Sequence, residues 1–342
     1  MSDKITNLVF EGGGILGISY LGILDFLHHQ GMLQSIRRVA GTSAGAMMAC
    51  MTSLNLPYDE LKTMSGTLNF KKIPQKVVQS DPPKISSAFR DQFKKVFGSD
   101  VDSVYRLIKS FGWYSSEYLY TWMKEQISSQ FNHSLKQPPY TFADFKNPYI
   151  HKGQRSFLDL YVVGTDISTK SSKVFCYETT PDMEVAKAVR VSMSIPLFFE
   201  SVILNETGSS YRARHHIFAD GGIMRNYPIT LFDSKYFTNK MTTAVNRETL
   251  GIRFKKKEKY REINSIIGYI ESLIRSYLTI QQDIYNNSPQ DQLRSIVIDT
   301  KDTSFVDFDI TPNDEKYKFL YQQGYKAAQD YFQTKTSKLK PY

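Results

Sequence analysis

The sequence predicts an α/β fold with a mostly parallel central sheet. Two short apolar segments, 5–10 and 36–40, are each followed by a glycine-containing loop and an apolar helix, so a strand–loop–helix unit occurs twice within the first 55 residues. A third apolar run, LDLYVVGTDI at 158–167, is almost unbroken, as expected for a strand that is buried on both faces. Strands that alternate with helices in this way build parallel sheets covered by helices.

Length, composition and charge narrow the class of protein. The 342 residues, 41% of them apolar and 23% charged, suit one large α/β domain or two ordinary ones. The 43 basic and 34 acidic residues give a net charge of +9, which favours contact with an anionic lipid surface or nucleic acid, or simply a solvated basic surface. Neither an arginine-rich arm nor zinc-finger spacing occurs, so we expect no nucleic-acid polymer as partner.

The cysteines and the apolar stretches bear on location. Cys50 and Cys176 each lie in an apolar stretch, which indicates a reducing compartment and no disulfide scaffold. The N-terminus carries no long apolar segment, and no later stretch has the uncharged length of a membrane span. We therefore expect a cytoplasmic protein that contacts membranes peripherally.

The first unit has an unusual loop, EGGGILG at 11–17. It follows a strand predicted over Ile5–Phe10 and precedes a helix that begins at about Gly17 and ends at Gly31. The loop satisfies the G-x-G-x-x-G pattern of a dinucleotide-binding turn.

Nucleotide binding by this loop is nevertheless disfavoured. A dinucleotide site needs an acid about 20 residues further on for the ribose hydroxyls, and no acid occurs between Asp25 and Asp59. A phosphate-binding P-loop would need a lysine after Gly17, where the chain has Ile18. The row of backbone N–H groups before a helix N-terminus could instead stabilise a transient oxyanion.

The second unit supplies a candidate nucleophile. GTSAG at 41–45 is a G-x-S-x-G pentapeptide between a short strand and a helix predicted from Ala44 to about Leu54. In that setting a tight turn, permitted by Gly41 and Gly45, raises the hydroxyl of Ser43 above the sheet edge. A turn before a buried helix is the alternative without chemistry.

The base for this serine is predicted to be an aspartate. In the α/β-hydrolases the catalytic residues follow the chain order Ser, Asp, His, which would require a histidine after the last plausible acid, Asp220. The last of the six histidines is His216, so this order cannot occur. We expect His28 and His29 to occupy a solvated helix end, and the pair at 215–216 to lie at the surface. Asp220 follows a short apolar strand and precedes Gly221 and Gly222, and a partly desolvated carboxylate near the hydroxyl can accept its proton. An Asx turn at a strand end is the alternative.

The region from about 70 to 151 shows a looser pattern. KKIPQKVVQSDPPK at 71–84 suggests a linker, and the following helical segments are rich in aromatic residues between 111 and 123. Packing of a small helical subdomain is the simpler interpretation. A cap over a lipid site is the alternative, since Trp and Tyr suit the boundary between water and hydrocarbon.

The remaining chain predicts further strands and helices. A helix is predicted over 182–194, and a final helix is predicted to be capped by Thr311 and Pro312. Strands are predicted at 173–178, 198–204, 217–220, 249–254 and 295–300. One apolar stripe is predicted along a long helix, formed by Ile263, Ile266, Ile267, Ile270, Leu273, Ile274, Tyr277 and Leu278.

GGGILG, GTSAG and DGG, in that order, resemble the patatin-like phospholipases, which are lipid acyl hydrolases with a Ser-Asp dyad. The resemblance extends to VVGTDISTKSSKVF, SMSIPLFFESVI and ADGGIMRNYPI and covers roughly residues 5–230. It implies a three-layer α/β/α patatin-like fold forming one domain over 1–342. It also implies an inserted helical cap at about 70–151 and a C-terminal helical extension at about 255–342.

The resemblance also implies roles for single residues. Ser43 would be the nucleophile, Asp220 its proton acceptor, and the oxyanion hole would be formed by backbone N–H groups. Those donors would come from Gly12, Gly13, Gly14 and Ala44, and the supporting glycines of the motifs are Gly17, Gly41, Gly45, Gly221 and Gly222. The mechanism requires no cofactor and no metal. Leu16 departs from the family, which usually has Lys or Arg at that position.

Partners and regulation are implied by the resemblance alone. The substrate class implies a phospholipid membrane surface as partner. Several bacterial members are effectors that enter host cells or stay silent until a cyclic nucleotide or protein cofactor activates them. A cyclic dinucleotide or protein activator, and secretion without a cleaved signal peptide, are therefore hypotheses for this chain. The alternative function, suggested by Leu16 and the basic surface, is a catalytically silent membrane- or partner-binding protein.

Overall fold

A computed structural model describes residues 4–75, 91, 101–206, 214–234, 245–255, 260 and 262–338. The strands are β1 (Asn7–Phe10), β2 (Arg38–Thr42), β3 (Gly112–Tyr114), β4 (Asp159–Asp166), β5 (Ser171–Phe175), β6 (Leu197–Phe199), β7 (Val202–Glu206), β8 (Arg214–Asp220), β9 (Thr249–Phe254) and β10 (Ser295–Ile298). The helices are α1 (Ile18–His29), α2 (Ala44–Ser53), α3 (Tyr58–Gly66), α4 (Val101–Ser110), α5 (Glu117–Ser128), α6 (Phe142–Phe145), α7 (Val185–Ser192), α8 (Gly222–Arg225), α9 (Ile266–Asn286), α10 (Pro289–Leu293) and α11 (Glu315–Lys338).

The central sheet has eight strands in the order β10-β9-β1-β2-β4-β8-β7, and β5 also pairs with β4. The five strands from β10 to β4 are parallel, whereas β5, β7 and β8 run antiparallel to their neighbours. Strand β4 is buried except at its first residue, as the apolar run at 158–167 predicted, and β1 and β9 are buried along their whole length. The predicted α/β fold with a mostly parallel sheet is confirmed, and its antiparallel strands make the sheet mixed.

The C-terminal helix packs tightly against the first helix. A Cβ added at Gly324 of α11 would clash with the backbone carbonyl of Ser19, so the two backbones approach more closely than a larger residue would allow. Phe26 stacks on Phe332, with ring centroids 5.6 Å apart. The C-terminal extension therefore forms part of the helical layer on this face of the sheet.

Several element boundaries differ from the predicted ones. The segment 198–204 is not one strand, because residues 200 and 201 separate β6 from β7. The final helix does not begin at Thr311. The Thr311 N–H donates to Asp314 Oδ2 at 2.6 Å and its hydroxyl donates to Oδ1 at 2.8 Å, so these residues form a turn and α11 starts after them.

The two tryptophans of the middle region are packing residues, whereas Phe111 and Tyr149 are exposed. Trp113 and Trp122 are buried, and the Trp122 indole N–H donates to the Thr67 hydroxyl at 3.0 Å. The predicted linker from 71 to 84 lies mostly outside the described residues. Within the described ranges, no helix is both long and apolar enough to cross a membrane.

The long helix α9 differs from its predicted single stripe. Ile270 and Ile274 are buried, but Leu273 is exposed, and Ile263 is exposed and precedes the helix. The side chains of the residues at 266 and 267 lie outside the described part. The helix therefore carries apolar residues on more than one face.

Candidate active site

Ser43 occupies a sharp turn between β2 and α2. Its backbone, at φ 55° and ψ −126°, lies in a region that non-glycine residues rarely adopt. The Ser43 N–H donates to Ser192 Oγ at 2.8 Å, which helps to hold this conformation. A Cβ added at Gly45 would clash with the Phe10 carbonyl, so glycine lets α2 start against the end of β1. The sequence-predicted nucleophile is thus a buried serine on a strained strand-to-helix turn.

The register of the sheet brings Asp220 to the level of Ser43. Thr42 pairs with Val163 of β4, so Ser43 follows at the level of Gly164, which pairs with Asp220. Strand β5 occupies the opposite edge of β4, so β2 and β8 lie end to end along one edge. Strand β8 is antiparallel to β4, so this meeting does not follow from the general rule that parallel strands end at one edge. The two predicted residues therefore meet at one edge of β4, beside Gly164.

The two carboxylate oxygens of Asp220 have different surroundings. Oδ1 accepts the Gly222 N–H at 2.6 Å, which is the Asx turn considered as an alternative. Oδ2 is buried and has no completed hydrogen bond to any residue that the structure describes. Burial raises the pKa of Asp220 to about 7, and interaction with the Ser43 hydroxyl partly offsets that rise. One oxygen thus fixes the turn, while the other accepts no hydrogen bond from the described residues.

The last residue of α7 and the residues that follow it support both Ser43 and Asp220. Besides accepting from Ser43, the Ser192 hydroxyl donates to the Val163 carbonyl at 2.5 Å. Two residues later, the Ser194 carbonyl accepts the Asp220 N–H at 2.8 Å. The sequence analysis gave Ser192 no role, although it stands in the SMSIPLFFESVI segment that carries the family resemblance.

The glycine loop offers fewer free donors than predicted. The Gly12 N–H donates to the Asn226 carbonyl at 3.0 Å, so we remove Gly12 from the expected oxyanion donors. The N–H groups of Gly13 and Gly14 meet no acceptor in the described part of the chain. Ala44 is the first residue of α2, where the N–H has no partner within the helix. Gly12 still lies against the nucleophile, since a Cβ added there would be 3.2 Å from Ser43 Cβ.

Glu11, the first residue of the loop, is a second buried acid that the sequence analysis missed. Its Oε2 accepts the Phe254 N–H at 2.6 Å, and its Oε1 accepts from Asn226 Nδ2 at 3.2 Å and from Gln282 Nε2 at 3.5 Å. Burial raises its pKa to about 7 despite these donors and nearby Arg253. Glu11 thus joins the loop to β9, to the segment after α8 and to α9. The available signal was an acid placed directly between an apolar strand and the glycines.

A cavity of about 820 Å³ opens over these groups. Gly13, Gly14, Ser43 and Asp220 lie in its wall, together with Leu16. Its other lining residues include Ile195, Phe254, Tyr277, Leu278 and Phe305. The predicted cap at 70–151 contributes no lining residue from its described part. The C-terminal region, especially α9, forms the wall instead.

A family model of patatin-like phospholipases matches residues 8–233, a segment that contains both Ser43 and Asp220. The chain belongs to the patatin-like phospholipase family. The predicted family and its α/β/α fold are confirmed, and the chain is thereby placed among lipid hydrolases.

Relatives of this patatin-like phospholipase come from viruses and bacteria. The uncharacterized protein R571 of Acanthamoeba polyphaga mimivirus is 23% identical over 95% of this chain and 93% of its own length. The probable lipid hydrolase 463L of invertebrate iridescent virus 6 is 24% identical over 66% of this chain and 62% of its own. Among solved structures, VipD from Legionella pneumophila is similar with a TM-score of 0.52 and 18% identity, covering 97% of this chain and 67% of VipD. That likeness shows the fold.

The histidines do not line the cavity of this patatin-like site. His29 is exposed at the end of α1, 3.2 Å from Asp25. His215 is exposed, as expected. His216 is half-buried, and its Nδ1 lies 2.6 Å from Asp166 Oδ2. Neither histidine of that pair lines the cavity. No group of three or more potential metal ligands occurs among the described residues.

Proposed function

We propose that this protein hydrolyses carboxylic esters of membrane phospholipids through a Ser43–Asp220 dyad and an acyl-enzyme. One observation carries the proposal: a strained, buried serine lies within interaction range of a buried aspartate whose Oδ2 lacks a hydrogen bond to any described residue. Both side chains line a cavity large enough for part of a lipid. Membership of a lipid hydrolase family supports the substrate class.

The first step forms the acyl-enzyme. Ser43 Oγ bonds to the ester carbonyl carbon while its proton moves to Asp220 Oδ2. The carbonyl oxygen becomes an oxyanion that the N–H groups of Gly13, Gly14 and Ala44 stabilise. The ester C–O bond then breaks, and the lysolipid oxygen takes the proton from Asp220.

The second step releases the fatty acid. A water molecule attacks the acyl carbon, Asp220 accepts its proton, and the same N–H groups stabilise the second oxyanion. When this intermediate collapses, the proton returns to Ser43 Oγ. Asp220 suits both steps because burial places its pKa at about 7, close to the pH at which proton transfer must run in both directions.

The membrane partner, the activator and the location stay predictions. We propose that the substrate is taken from a phospholipid surface, and that a cyclic dinucleotide or a protein activates hydrolysis. The proposal of an activator is tested by assaying the purified protein on vesicles with and without cyclic dinucleotides or cell extract. A rate that none of these additions changes would contradict it.

Replacement of the nucleophile tests the dyad. Ser43→Ala should lower fatty-acid release from phospholipid vesicles at least about a thousandfold, because general-base and nucleophilic catalysis are lost together. Mass spectrometry of the lipid products measures the loss and identifies the ester position that is cut. Fluorophosphonate labelling of the wild type, absent in Ser43→Ala, would contradict the catalytically silent alternative. Equal release by both proteins would disprove the proposed chemistry.

A further inference from the structure

Helix α9 exposes a row of large apolar side chains. Tyr269, Leu273, Ile280 and Ile284 are 51%, 44%, 67% and 64% exposed. Their spacings of four, seven and four residues place them on one face of the helix. We call these four residues the outer stripe. An apolar row of this kind on a surface helix calls for a partner, because a solvated helix face is normally polar.

Another face of the same helix belongs to the active site. Leu278, about half a turn from the stripe, lines the cavity. The Gln281 side chain donates to the Gly222 carbonyl at 2.7 Å and accepts the Asn226 N–H at 2.8 Å, which attaches the helix to the turn after Asp220. Helix α9 is therefore a wall with one face on the cavity and the outer stripe on the exterior.

The mouth of the cavity continues the apolar character of this side. Tyr260 lines the cavity and is 89% exposed. Tyrosines suit the interface between lipid and water, because the ring is apolar and the hydroxyl can reach the headgroups. Ser276, which is exposed and lies between Leu273 and Ile280 on the same face of α9, also lines the cavity. The stripe and the mouth therefore lie on adjoining parts of the surface.

The charged residues of α9 are Glu271, Arg275 and Asp283. Glu271 and Arg275 lie away from the stripe and pair with each other at 2.7 Å, so Asp283 is the charged residue of this helix that lies nearest to it. The net charge of the whole chain, +9, attracts an anionic lipid surface over longer distances.

We propose that the outer stripe docks this protein on a lipid surface, with the mouth of the cavity facing the headgroups. The inference rests on the proposed function in one respect, since a lipid hydrolase must take its substrate from such a surface. Four partly exposed side chains offer much less than the ~800 Å² per partner that a stable protein interface buries. Lipid docking has no such minimum, since each inserted side chain adds its own transfer free energy.

Vesicle binding with ether-linked lipids tests the inference without hydrolysis. Such lipids contain no carboxylic ester, so binding is measured whether or not the dyad works. The full chain is cosedimented with vesicles of ether-linked phosphatidylcholine and phosphatidylglycerol. The double variant Ile280→Ser/Ile284→Ser should lower the partition coefficient about tenfold or more, because two inserted side chains are lost.

A matched double variant controls for general loss of surface hydrophobicity. Ile108→Ser/Ile203→Ser removes two isoleucines of similar exposure, 68% and 56%, from α4 and β7, which do not line the cavity. It should bind vesicles like the wild type. Circular dichroism melting curves should show that both double variants are folded.

Three results would overturn the inference. The wild type could fail to bind the vesicles, or the two double variants could bind equally. Sedimentation velocity could also show a wild-type dimer that Ile280→Ser/Ile284→Ser converts to a monomer, which would make a second copy the partner of the stripe. The proposed chemistry is judged separately, since Ser43→Ala should bind ether-linked vesicles like the wild type even though it releases no fatty acid.

Discussion

Glu11 and Asp220 are two buried acids in one site, with similar acidity and different surroundings. Burial raises the pKa of each to about 7. Both oxygens of Glu11 accept hydrogen bonds from β9, from Asn226 and from α9. Asp220 uses one oxygen for the Gly222 N–H and keeps Oδ2 without a completed bond in the described part of the chain.

The difference shows that a raised pKa does not identify a catalytic base. Glu11 accepts hydrogen bonds at both oxygens and does not line the cavity, so it can hold elements together but does not face a substrate. An acid with an unused oxygen beside a nucleophile can accept a proton. We therefore propose that Glu11 positions the glycine loop and that Asp220 takes part in the chemistry, and three experiments test this division.

The largest expected effect is that of Asp220→Asn. An amide cannot accept the Ser43 proton, so kcat for a soluble short-chain ester should fall by about 10²- to 10⁴-fold. Stopped or continuous assays of ester cleavage from pH 5 to 9 measure it. The rise of kcat/KM with an apparent pKa near 7 should disappear in this variant. A variant that retained that profile would show that another group is the base.

Glu11→Gln should have an intermediate effect. Glutamine offers one acceptor where the carboxylate offers two, and its amide N–H would face the donors that Glu11 now accepts. The resulting shift of the loop should lower kcat by about tenfold to a hundredfold, with a smaller change in KM, because the oxyanion donors are displaced. In contrast to Asp220→Asn, the pH profile should keep its apparent pKa near 7. Loss of that profile would contradict a positioning role for Glu11.

The last effect is expected in the pH dependence of stability. Each acid has a folded-state pKa of about 7, above its ordinary values of 3.8 for Asp220 and 4.5 for Glu11. Between those values the folded state keeps a proton that the unfolded state has released, so the free energy of unfolding should fall as pH rises from about 4 to about 7. Urea unfolding at pH 5 and pH 8 measures the fall.

Asp220→Asn serves as the control for that measurement. It removes one of the two titrating groups, so its stability should fall less between pH 5 and pH 8 than that of the wild type. An equally steep fall would mean that Asp220 does not titrate in this range.

Part of the fold and of the site could be predicted because the signals are local. The apolar runs of β1, β4 and β9 and the glycines around Ser43 each specify a strand or a turn within a few residues. The partners of Glu11 could not be predicted in this way. Glu11 and Phe254 are separated by 243 residues, and no short pattern in the chain encodes such a contact.

The residues that form the cavity wall could not be predicted from local sequence signals either. The aromatic density near 111–123 favoured packing of a helical subdomain and left a cap as the alternative. Trp113 and Trp122 are buried, and α9 contributes to the cavity wall. Aromatic side chains suit a buried core and a lipid interface equally well, so composition alone could not distinguish them. In α9, the predicted single stripe merged residues from the buried face with Leu273 of the exposed one.

The sequence by itself determined that Ser43 stands on a strand-to-helix turn, that a glycine loop ends the preceding strand, and that Asp220 is the candidate acid. Tertiary structure alone decided that they meet, because the antiparallel register of β8 places Asp220 beside Gly164. It also decided that the Gly12 N–H donates to the Asn226 carbonyl. Glu11, the first residue of the EGGGILG loop, holds that loop in place through hydrogen bonds to Asn226 and Phe254. Local steric preferences fix a turn, whereas strand register and burial depend on residues distant in the chain.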